Sequence, residues 1–351
     1  MPILARMLPS PMFVDIRAGA VAALGDVLQD RFISPTGKVL VAVGPSQGER
    51  IWRTVQPSMP DAGVFPVQDA SLGSAGRLQE ALSERGYDAV VGIGGGRTLD
   101  VAKYAATRAG VPMVAVATNL AHDGICSPVA SLMHAHGKGS YGVSMPLAVL
   151  VDLDYVRSAP PRLVRAGVGD VVSNLSAIED WLLAHRQQGE PVDGLAIAIA
   201  QNAAEAVLGR RDSIDSDEFL VTLAQSLVLS GMAMSVAGSS RPCSGACHEF
   251  VHAVDQLFPG ASDHGELAGI GALFATSLRG ETSLFETLAT CLRQHGLPTS
   301  PADIGLDDDQ FVAAVMAAPD TRPGRYTVLE HLDLTEREVR DRVREFRLRL
   351  G

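Results

Sequence analysis

Two histidines four residues apart, His248 and His252, have the residue type and spacing that most directly suggest chemistry in this sequence. A helix over 243–257 would place both imidazoles on one face, because residues i and i+4 of an α-helix are neighbours. A third histidine, His264, opens a His-Gly-Glu sequence shortly afterwards. Neutral imidazoles bind divalent metals well, and a carboxylate would complete a three-ligand set with an open position. The alternative is a buried helix whose histidines are only hydrogen-bonded.

Several acidic residues are candidates for that carboxylate. Asp170 is the leading one, although an aspartate that follows a glycine can also be a helix N-cap. Glu179 and Asp180 are rivals beside Trp181, on what we expect to be a solvated face. Three others lie closer to the histidines along the chain, and the last of them could orient a ligand from behind: Glu249, Asp255 and Glu266.

A glycine-rich turn, Gly94-Gly95-Gly96, follows an apolar run and precedes a helical pattern. Glycines let backbone N–H groups approach a phosphate, and the helix N-terminus adds partial positive charge. The turn is neither a G-x-G-x-x-G fingerprint nor a P-loop, so a tight strand–helix turn without a ligand is the alternative. Asp100 and Lys103 lie in the first turns of the helix. Alternatively, Asp100 could only interact favourably with the helix dipole, and Lys103 could only be solvated or form an ion pair.

The segment from Thr118 to Pro128 comes directly after another apolar run. Ligands of open α/β sheets bind at the carboxyl ends of such strands. Asp123 could accept a hydrogen bond from a substrate hydroxyl, or it could form an Asx turn before Gly124. Thr118 and Ser127, together with the more distant Lys138, could hold a phosphate or a carboxamide.

The first half of the chain alternates short apolar runs with helical patterns, which predicts a doubly wound parallel sheet of the Rossmann-like α/β class. We expect strands at 38–43, 63–67, 89–93 and 111–117, and helices at 47–56, 74–85 and 98–108. Residues 129–134 and 147–152 flank Gly137-Lys138-Gly139 and are interpreted as a hairpin-like excursion with a long turn.

Strand signals almost vanish beyond Pro160-Pro161, so we place a domain boundary there, with domains at 1–159 and 160–351. The second domain is predicted to be all-α, and 192–208 to be central because it is apolar nearly all round. Besides the helix over 243–257, the predicted helices are 162–186, 192–208, 218–237, 266–278, 283–295, 308–316 and 335–350. A capping box, Thr335 to Glu338, precedes the last of them.

Composition narrows the class of protein. The 351 residues carry a net charge of −11, which argues against nucleic-acid and anionic-membrane partners. The four cysteines show no C-x-x-C spacing, so we expect reduced thiols in a cytoplasmic protein, with Cys243 and Cys247 as small core residues rather than metal ligands. The first residues lack the apolar run of a signal peptide, and no uninterrupted apolar stretch approaches the ~20 residues of a membrane span.

Taken together, five motifs in order resemble the metal-dependent polyol dehydrogenase superfamily, which includes glycerol dehydrogenase, iron-containing alcohol dehydrogenases and dehydroquinate synthase. The resemblance covers most of residues 12–280 and is strongest to the glycerol-1-phosphate dehydrogenase family. The motifs are Gly94-Gly-Gly-x-x-x-Asp100-x-x-Lys103, the loop from Thr118 through His122-Asp-Gly to Ser127-Pro128, Gly169-Asp170, Ser240-Arg-Pro with His248-x-x-x-His252, and His264-Gly-Glu.

This resemblance implies a dehydroquinate synthase-like fold and a role for each matching position. Metal would be bound by Asp170, His248 and His264: zinc, with iron or nickel as alternatives. The NAD(P) site would be lined by Gly94, Gly95, Gly96, Asp100, Lys103, Thr118 and Ser127. Asp123 would touch the substrate hydroxyl or the nicotinamide edge, and His252 would bind substrate or relay a proton. The implied protein is a homo-oligomer that acts on a small phosphorylated polyol in phospholipid biosynthesis.

The implied reaction interconverts dihydroxyacetone phosphate and sn-glycerol 1-phosphate. Two departures put the substrate in doubt: Ala246-Cys247 replaces the usual Ser-Glu, and Thr118-Asn-Leu-Ala replaces the usual approach to the loop. Gly44-Pro45-Ser46 after the second strand offers no acid for a ribose diol, so NAD and NADP both stay open. The alternatives are a dehydrogenase for another phosphorylated or amino polyol, a sugar-phosphate cyclase like dehydroquinate synthase, and a binding protein that has lost activity.

Overall fold

The computed structural model describes residues 8–30, 33–135 and 137–350, which divide into two compact units. The first unit ends at Pro160 and the second begins at Pro161. A residue that precedes proline is disfavoured in the α region, so a Pro-Pro pair is a natural place for the chain to pass between two units.

The first unit is built on a parallel six-stranded sheet with the order β1-β8-β5-β4-β2-β3. Four of its strands are buried along their whole length, which is why they occur as continuous apolar runs. The described strands are β1 (Phe13–Arg17), β2 (Val39–Val43), β3 (Gly63–Pro66), β4 (Ala89–Gly94), β5 (Met113–Ala117), β6 (Val129–His134), β7 (Gly137–Gly142) and β8 (Ala148–Asp152).

Helices connect these strands and pack on the sheet. They are α1 (Leu24–Asp30), α2 (Gln47–Val55), α3 (Leu72–Arg85), α4 (Gly96–Ala109) and α5 (Leu153–Arg157). The predicted parallel α/β first half is confirmed. The strand Phe13–Arg17 was not predicted; it lies at the sheet edge, where only one neighbour pairs with it.

The predicted excursion was wrong in its second strand. β6 pairs antiparallel with β7, from Val129 opposite Gly142 to His134 opposite Gly137. Residues 148–152 instead form β8, which lies between β1 and β5 in the parallel sheet. Burial explains the difference: β8 is buried on both faces, as an inner parallel strand must be, whereas β7 alternates between half-buried and exposed residues.

The described part of the second unit is all-helical, as predicted. Its helices are α6 (Pro161–Val172), α7 (Asn174–Gln188), α8 (Gly194–Leu208), α9 (Asp217–Ala237), α10 (Ala246–Leu257), α11 (His264–Arg279), α12 (Thr282–Gln294), α13 (Asp308–Ala317), α14 (Val328–Leu332) and α15 (Glu336–Leu350). The capping box before α15 is present, because Glu338 Oε2 accepts from the N–H of Thr335 at 2.8 Å and Thr335 Oγ1 accepts from the N–H of Glu338 at 3.5 Å.

Two helix predictions in this unit need correction. The single helix expected over 162–186 is two helices that meet at Ser173, whose hydroxyl donates to the carbonyl of Asp170 at 2.7 Å. α8 is not central: one face is buried, but Ala198 and Ala206 are exposed and Leu195 is 41% exposed. The helix predicted over 218–237 is present as α9. It has the length and composition of a membrane span, and most of it is buried inside the protein.

Candidate metal centre and cofactor turn

Asp170, His248 and His264 come together in the second unit. One ligand atom from each lies within 4.8 Å of the others. Asp170 Oδ1 lies 3.5 Å from His248 Nε2 and 3.8 Å from His264 Nε2. Asp170 is only 3% exposed, and a carboxylate buried to that degree requires positive charge beside it. The donor set therefore fits a divalent cation, since one carboxylate oxygen and two imidazole nitrogens are typical of catalytic zinc and iron sites.

Each ligand is placed by a different helix. Asp170 lies in the interior of α6, so the N-cap alternative for it is wrong. His248 is in the first turn of α10, and His264 is the first residue of α11. α11 packs against both α6 and α10, so it brings the three ligands together.

Two glycines next to the ligands let α6 and α11 approach closely. A Cβ atom on Gly169 would lie 2.2 Å from the carbonyl oxygen of Gly265, and one on Gly265 would lie 1.8 Å from the carbonyl oxygen of Ala166. The obstacles are backbone atoms, which cannot rotate away as a side chain can. The glycines in Gly169-Asp170 and His264-Gly265 therefore set the spacing between the helices that carry the ligands.

We predict that Gly265→Ala lowers the free energy of unfolding by about 1–3 kcal/mol or more, as overpacking against backbone does. It should also separate His264 from Asp170 and weaken metal binding. Gly194→Ala is the matched control, because a Cβ there meets nothing within 4 Å and should change stability by no more than about 1 kcal/mol. Chemical denaturation and metal analysis of both variants provide the measurement. An unfolding free energy for Gly265→Ala equal to that of the control would contradict this packing argument.

The start of α11 is held by its own acidic residue. Glu266 Oε2 accepts from the hydroxyl of Ser262 and from the backbone N–H of Asp263, at 3.3 Å for the latter. Asp263 in turn forms an ion pair with Arg162 on α6. Glu266 thus fixes the backbone from which His264 projects.

Cys243 and Cys247 are buried thiols outside any disulfide, as are Cys126 and Cys291. The Sγ of Cys247 lies 3.3 Å from His248 Nδ1, and the Sγ of Cys243 donates to the carbonyl of Ser230. Burial opposes protonation of His248, but Cys247 and Asp170 outweigh it and raise the pKa of the imidazole to about 10. The groups beside His248 therefore favour positive charge at this position.

Asp180 was expected on a solvated face, and that interpretation was wrong. It is fully buried, and its Oδ2 accepts from the backbone N–H of Ala246, the first residue of α10. Its Oδ1 accepts from Arg279 and from the N–H of Val328, at 2.8 and 3.0 Å. Asp180 therefore anchors the N-terminal end of the helix that carries His248 and His252.

Glu249, another candidate carboxylate, does not have the properties of a metal ligand. It is fully buried, and its Oε2 accepts from Thr327 Oγ1 at 3.0 Å. Burial, reinforced by the charge of Glu330, raises its pKa to about 9, so the carboxyl is protonated at neutral pH. A neutral carboxylic acid is a poor metal ligand.

His252 lies one helical turn beyond His248 on α10. Its Nε2 is 2.8 Å from Nη2 of Arg322. A guanidinium can only donate, so His252 Nε2 accepts and the neutral ring carries its hydrogen on Nδ1. The sequence showed the i, i+4 relation of the two histidines but not this arginine, which is 70 residues away.

In the first unit, the glycine turn joins β4 to α4 and packs beneath three polar side chains. A Cβ on Gly94 would lie 2.5 Å from Thr98 Cβ, one on Gly95 2.7 Å from Asn119 Nδ2, and one on Gly96 2.2 Å from His122 Nε2. Asn119 and His122 belong to the loop that follows β5. The first N–H groups of α4 have no partner within the helix, as in any α-helix, and can bind an anion there.

Asp100 and Lys103 form a buried ion pair, with Oδ1 and Nζ 2.9 Å apart. Lys103 is fully buried and donates to the carbonyls of Ser127 and Val129, while Asp100 Oδ2 accepts from the N–H of Ser131 at 3.0 Å. These contacts tie α4 to the loop and to β6. Their predicted place in the NAD(P) site stays a prediction.

The remaining predicted residues lie in the loop after β5 and in the β6–β7 hairpin. Thr118 is buried and its N–H donates to the carbonyl of Gly94 at 3.1 Å, and Ser127 is buried next to Lys103. Asp123 is half-buried and begins a short 3-10 helix; its carbonyl accepts from the N–H groups of Cys126 and Ser127. Lys138 lies on β7, in the hairpin.

Comparison with known proteins places this arrangement in a class. The family model for iron-containing alcohol dehydrogenases matches residues 15–160. A probable glycerol dehydrogenase from Sinorhizobium meliloti has the same fold, with a TM-score of 0.78, 24% identity and 98% of each chain covered. The class is thus the iron-containing alcohol dehydrogenase fold.

Two curated relatives define the family within that class. Glycerol-1-phosphate dehydrogenase from Hyperthermus butylicus is 37% identical over 331 residues, which cover 93% of this chain and 94% of that protein. The enzyme of the same name from Methanoculleus marisnigri is 42% identical over 287 residues, 81% of this chain and 78% of that protein. The chain belongs to the glycerol-1-phosphate dehydrogenase family, which confirms the resemblance found in the sequence.

Proposed function

We propose that this chain is a metal-dependent oxidoreductase that interconverts dihydroxyacetone phosphate and sn-glycerol 1-phosphate with NAD(P). The observation that carries the proposal is the convergence of Asp170, His248 and His264 within 4.8 Å in a member of this family. The names of the relatives specify the substrate and NAD(P)+. We propose zinc as the metal, with iron or nickel as alternatives, and a cytoplasmic homo-oligomer as the working form.

In this proposal the first unit binds the cofactor and the second unit binds the metal. In the first, the turn from Gly94 to Gly96 and the N-terminus of α4 hold the pyrophosphate, while Thr118 and Ser127 line the rest of the nucleotide site. Asp123 accepts a hydrogen bond from a substrate hydroxyl or from the nicotinamide edge. In the second, Asp170, His248 and His264 hold the metal.

The chemistry divides between the bound groups and the protein side chains. When bound, the metal supplies Lewis acidity at the carbonyl oxygen and the reduced nicotinamide supplies the hydride. His252 in its imidazolium form passes a proton to the oxygen that becomes the hydroxyl, and the ring is left neutral, the form whose Nε2 accepts from Arg322. In the oxidative direction the same ring receives the proton.

The proposal is tested by a screen of ketone substrates with NADH and NADPH. The measured quantity is the loss of the absorbance of the reduced nicotinamide. We expect dihydroxyacetone phosphate to be reduced fastest, and a stereospecific assay to identify the product as sn-glycerol 1-phosphate. A different phosphorylated or amino keto-polyol as the best substrate would support the alternative dehydrogenase. No net oxidation with any substrate would contradict the proposal.

A further inference from the structure

A short segment near the end of the chain, Arg322 to Thr327, lies over α10; we call it the arginine strap. Its Tyr326 carbonyl accepts from Nη1 of Arg241 at 3.0 Å, and its Thr327 hydroxyl donates to Glu249 on α10. Arg325 donates to the carbonyl of Ser244 and, at 2.8 Å, to the hydroxyl of Ser240. These bonds fix the strap against the turn that precedes the metal-ligand helix.

Arg325 gives the arginine strap a positive charge whose hydrogen-bond partners are neutral groups. Arg241 is paired, since Glu190 accepts from both its Nε and its Nη2. Arg325, by contrast, has only a carbonyl and a hydroxyl as partners, and in the described part of the chain no carboxylate lies within ion-pair distance of it. Burial, together with the charges of Arg322 and Arg241, lowers the pKa of Arg325 to about 10. This part of the second unit therefore has a positive potential that favours an anion.

Arg322 places part of that charge next to the proposed proton relay. Its Nη2 lies 2.8 Å from His252 Nε2, and its side chain is half-buried. Residues i and i+4 on a helix are separated by about 5–6 Å between their Cβ atoms. The guanidinium thus contacts the residue that lies one helical turn beyond the metal ligand His248 on α10.

We propose that Arg322 binds the phosphate group of the substrate, with Arg325 behind it adding positive potential. This inference rests on the proposed function, because it assigns a phosphate to a substrate whose reacting carbon is held at the metal centre. In glycerol 1-phosphate only a methylene and an ester oxygen separate the phosphorus from the carbon that gives up the hydride. A phosphate beside His252 is therefore at a suitable distance from a hydroxyl at the metal.

The chemistry of the guanidinium favours a phosphate over a neutral group. Its planar fork of N–H donors matches two phosphate oxygens, and charge-assisted hydrogen bonds are roughly twice as strong as neutral ones. A guanidinium has five N–H donors, and the contact with His252 uses one of them. The same contact would make phosphate binding and the orientation of His252 depend on a single side chain.

The test compares a phosphorylated and an unphosphorylated ketone in the metal-loaded enzyme. For Arg322→Gln we expect kcat/KM to fall with both ketones, because the contact with His252 is lost, but at least about 10-fold further with dihydroxyacetone phosphate, because only that substrate also loses its phosphate contact. Arg322→Lys keeps the charge but loses the fork, so it should recover part of the loss. Arg342→Gln, on the exposed face of α15, is the matched control and should leave both substrates unaffected.

Equal losses with both substrates would overturn the inference, because they would show that Arg322 acts only by orienting His252. A wild-type enzyme that uses both ketones equally well would overturn it too. If dihydroxyacetone phosphate is not a substrate at all, the proposed function fails, and the phosphate site is then tested separately. Calorimetry with inorganic phosphate, at saturating NAD(P)+ so that the nucleotide site is filled, should show binding to the wild type and to Arg342→Gln but at least about 10-fold weaker binding to Arg322→Gln. Equal binding by all three would refute the inference.

Discussion

Replacing Asp170 by Asn is expected to remove the bound metal and nearly all of the activity. The substitution keeps the shape of the side chain but removes the charge that a cation needs in a buried site. Loss of even an outer-shell partner costs 10–100-fold in metal affinity, so loss of this ligand should cost at least about 100-fold. Turnover should fall by about 10²–10³-fold, because Lewis-acid stabilisation is worth several kcal/mol.

His264→Ala should reproduce this result, since it removes a second ligand from the same cluster. Metal content after dialysis and turnover with added metal are measured together. Asp341→Asn, an exposed aspartate on α15, is the matched control and should retain both metal and activity. An Asp170→Asn enzyme with full metal content and wild-type turnover would show that the cluster is not the catalytic centre.

His252→Ala is expected to lower turnover by about 10²–10⁴-fold while the metal stays bound. His252 is absent from the three-ligand cluster, so its loss should affect proton transfer and not metal content. Excess imidazole in the assay should restore part of the turnover, because it can occupy the cavity and carry a proton. His331→Ala, at an exposed histidine of the same unit, provides the control.

The two groups of variants separate binding of the metal from transfer of the proton. Metal loss in His252→Ala would place this histidine in the ligand set, and unchanged turnover would remove it from the mechanism. Retention of metal with a large loss of turnover is the combination that a proton relay requires.

Local patterns in the sequence were sufficient for most helices and for the inner strands. Strands such as Ala89–Gly94 are continuous apolar runs because they are buried on both faces, and this shows directly in the residue types. The amphipathic helices show their periods in the same way. The i, i+4 spacing of His248 and His252 likewise needed no tertiary information.

Features that depend on long-range packing were not visible. β8 was paired with the wrong partner, because an apolar run does not reveal its neighbours in the sheet. The residue type of Asp180 does not show whether its side chain faces solvent or the interior. Only the fold shows that it anchors α10. The contact of Gly169 with Gly265 joins two glycines that are distant in the sequence, although both stand next to predicted ligands. The arginine strap is likewise brought to His252 only by folding.

The most direct test of the central claim is the metal content of the purified enzyme, measured alongside its reduction of dihydroxyacetone phosphate. We expect about one divalent metal ion per chain, in line with a three-ligand site, and activity that disappears on chelation and returns when the metal is restored. A fully active enzyme without bound metal would contradict the assignment of Asp170, His248 and His264 as its catalytic centre.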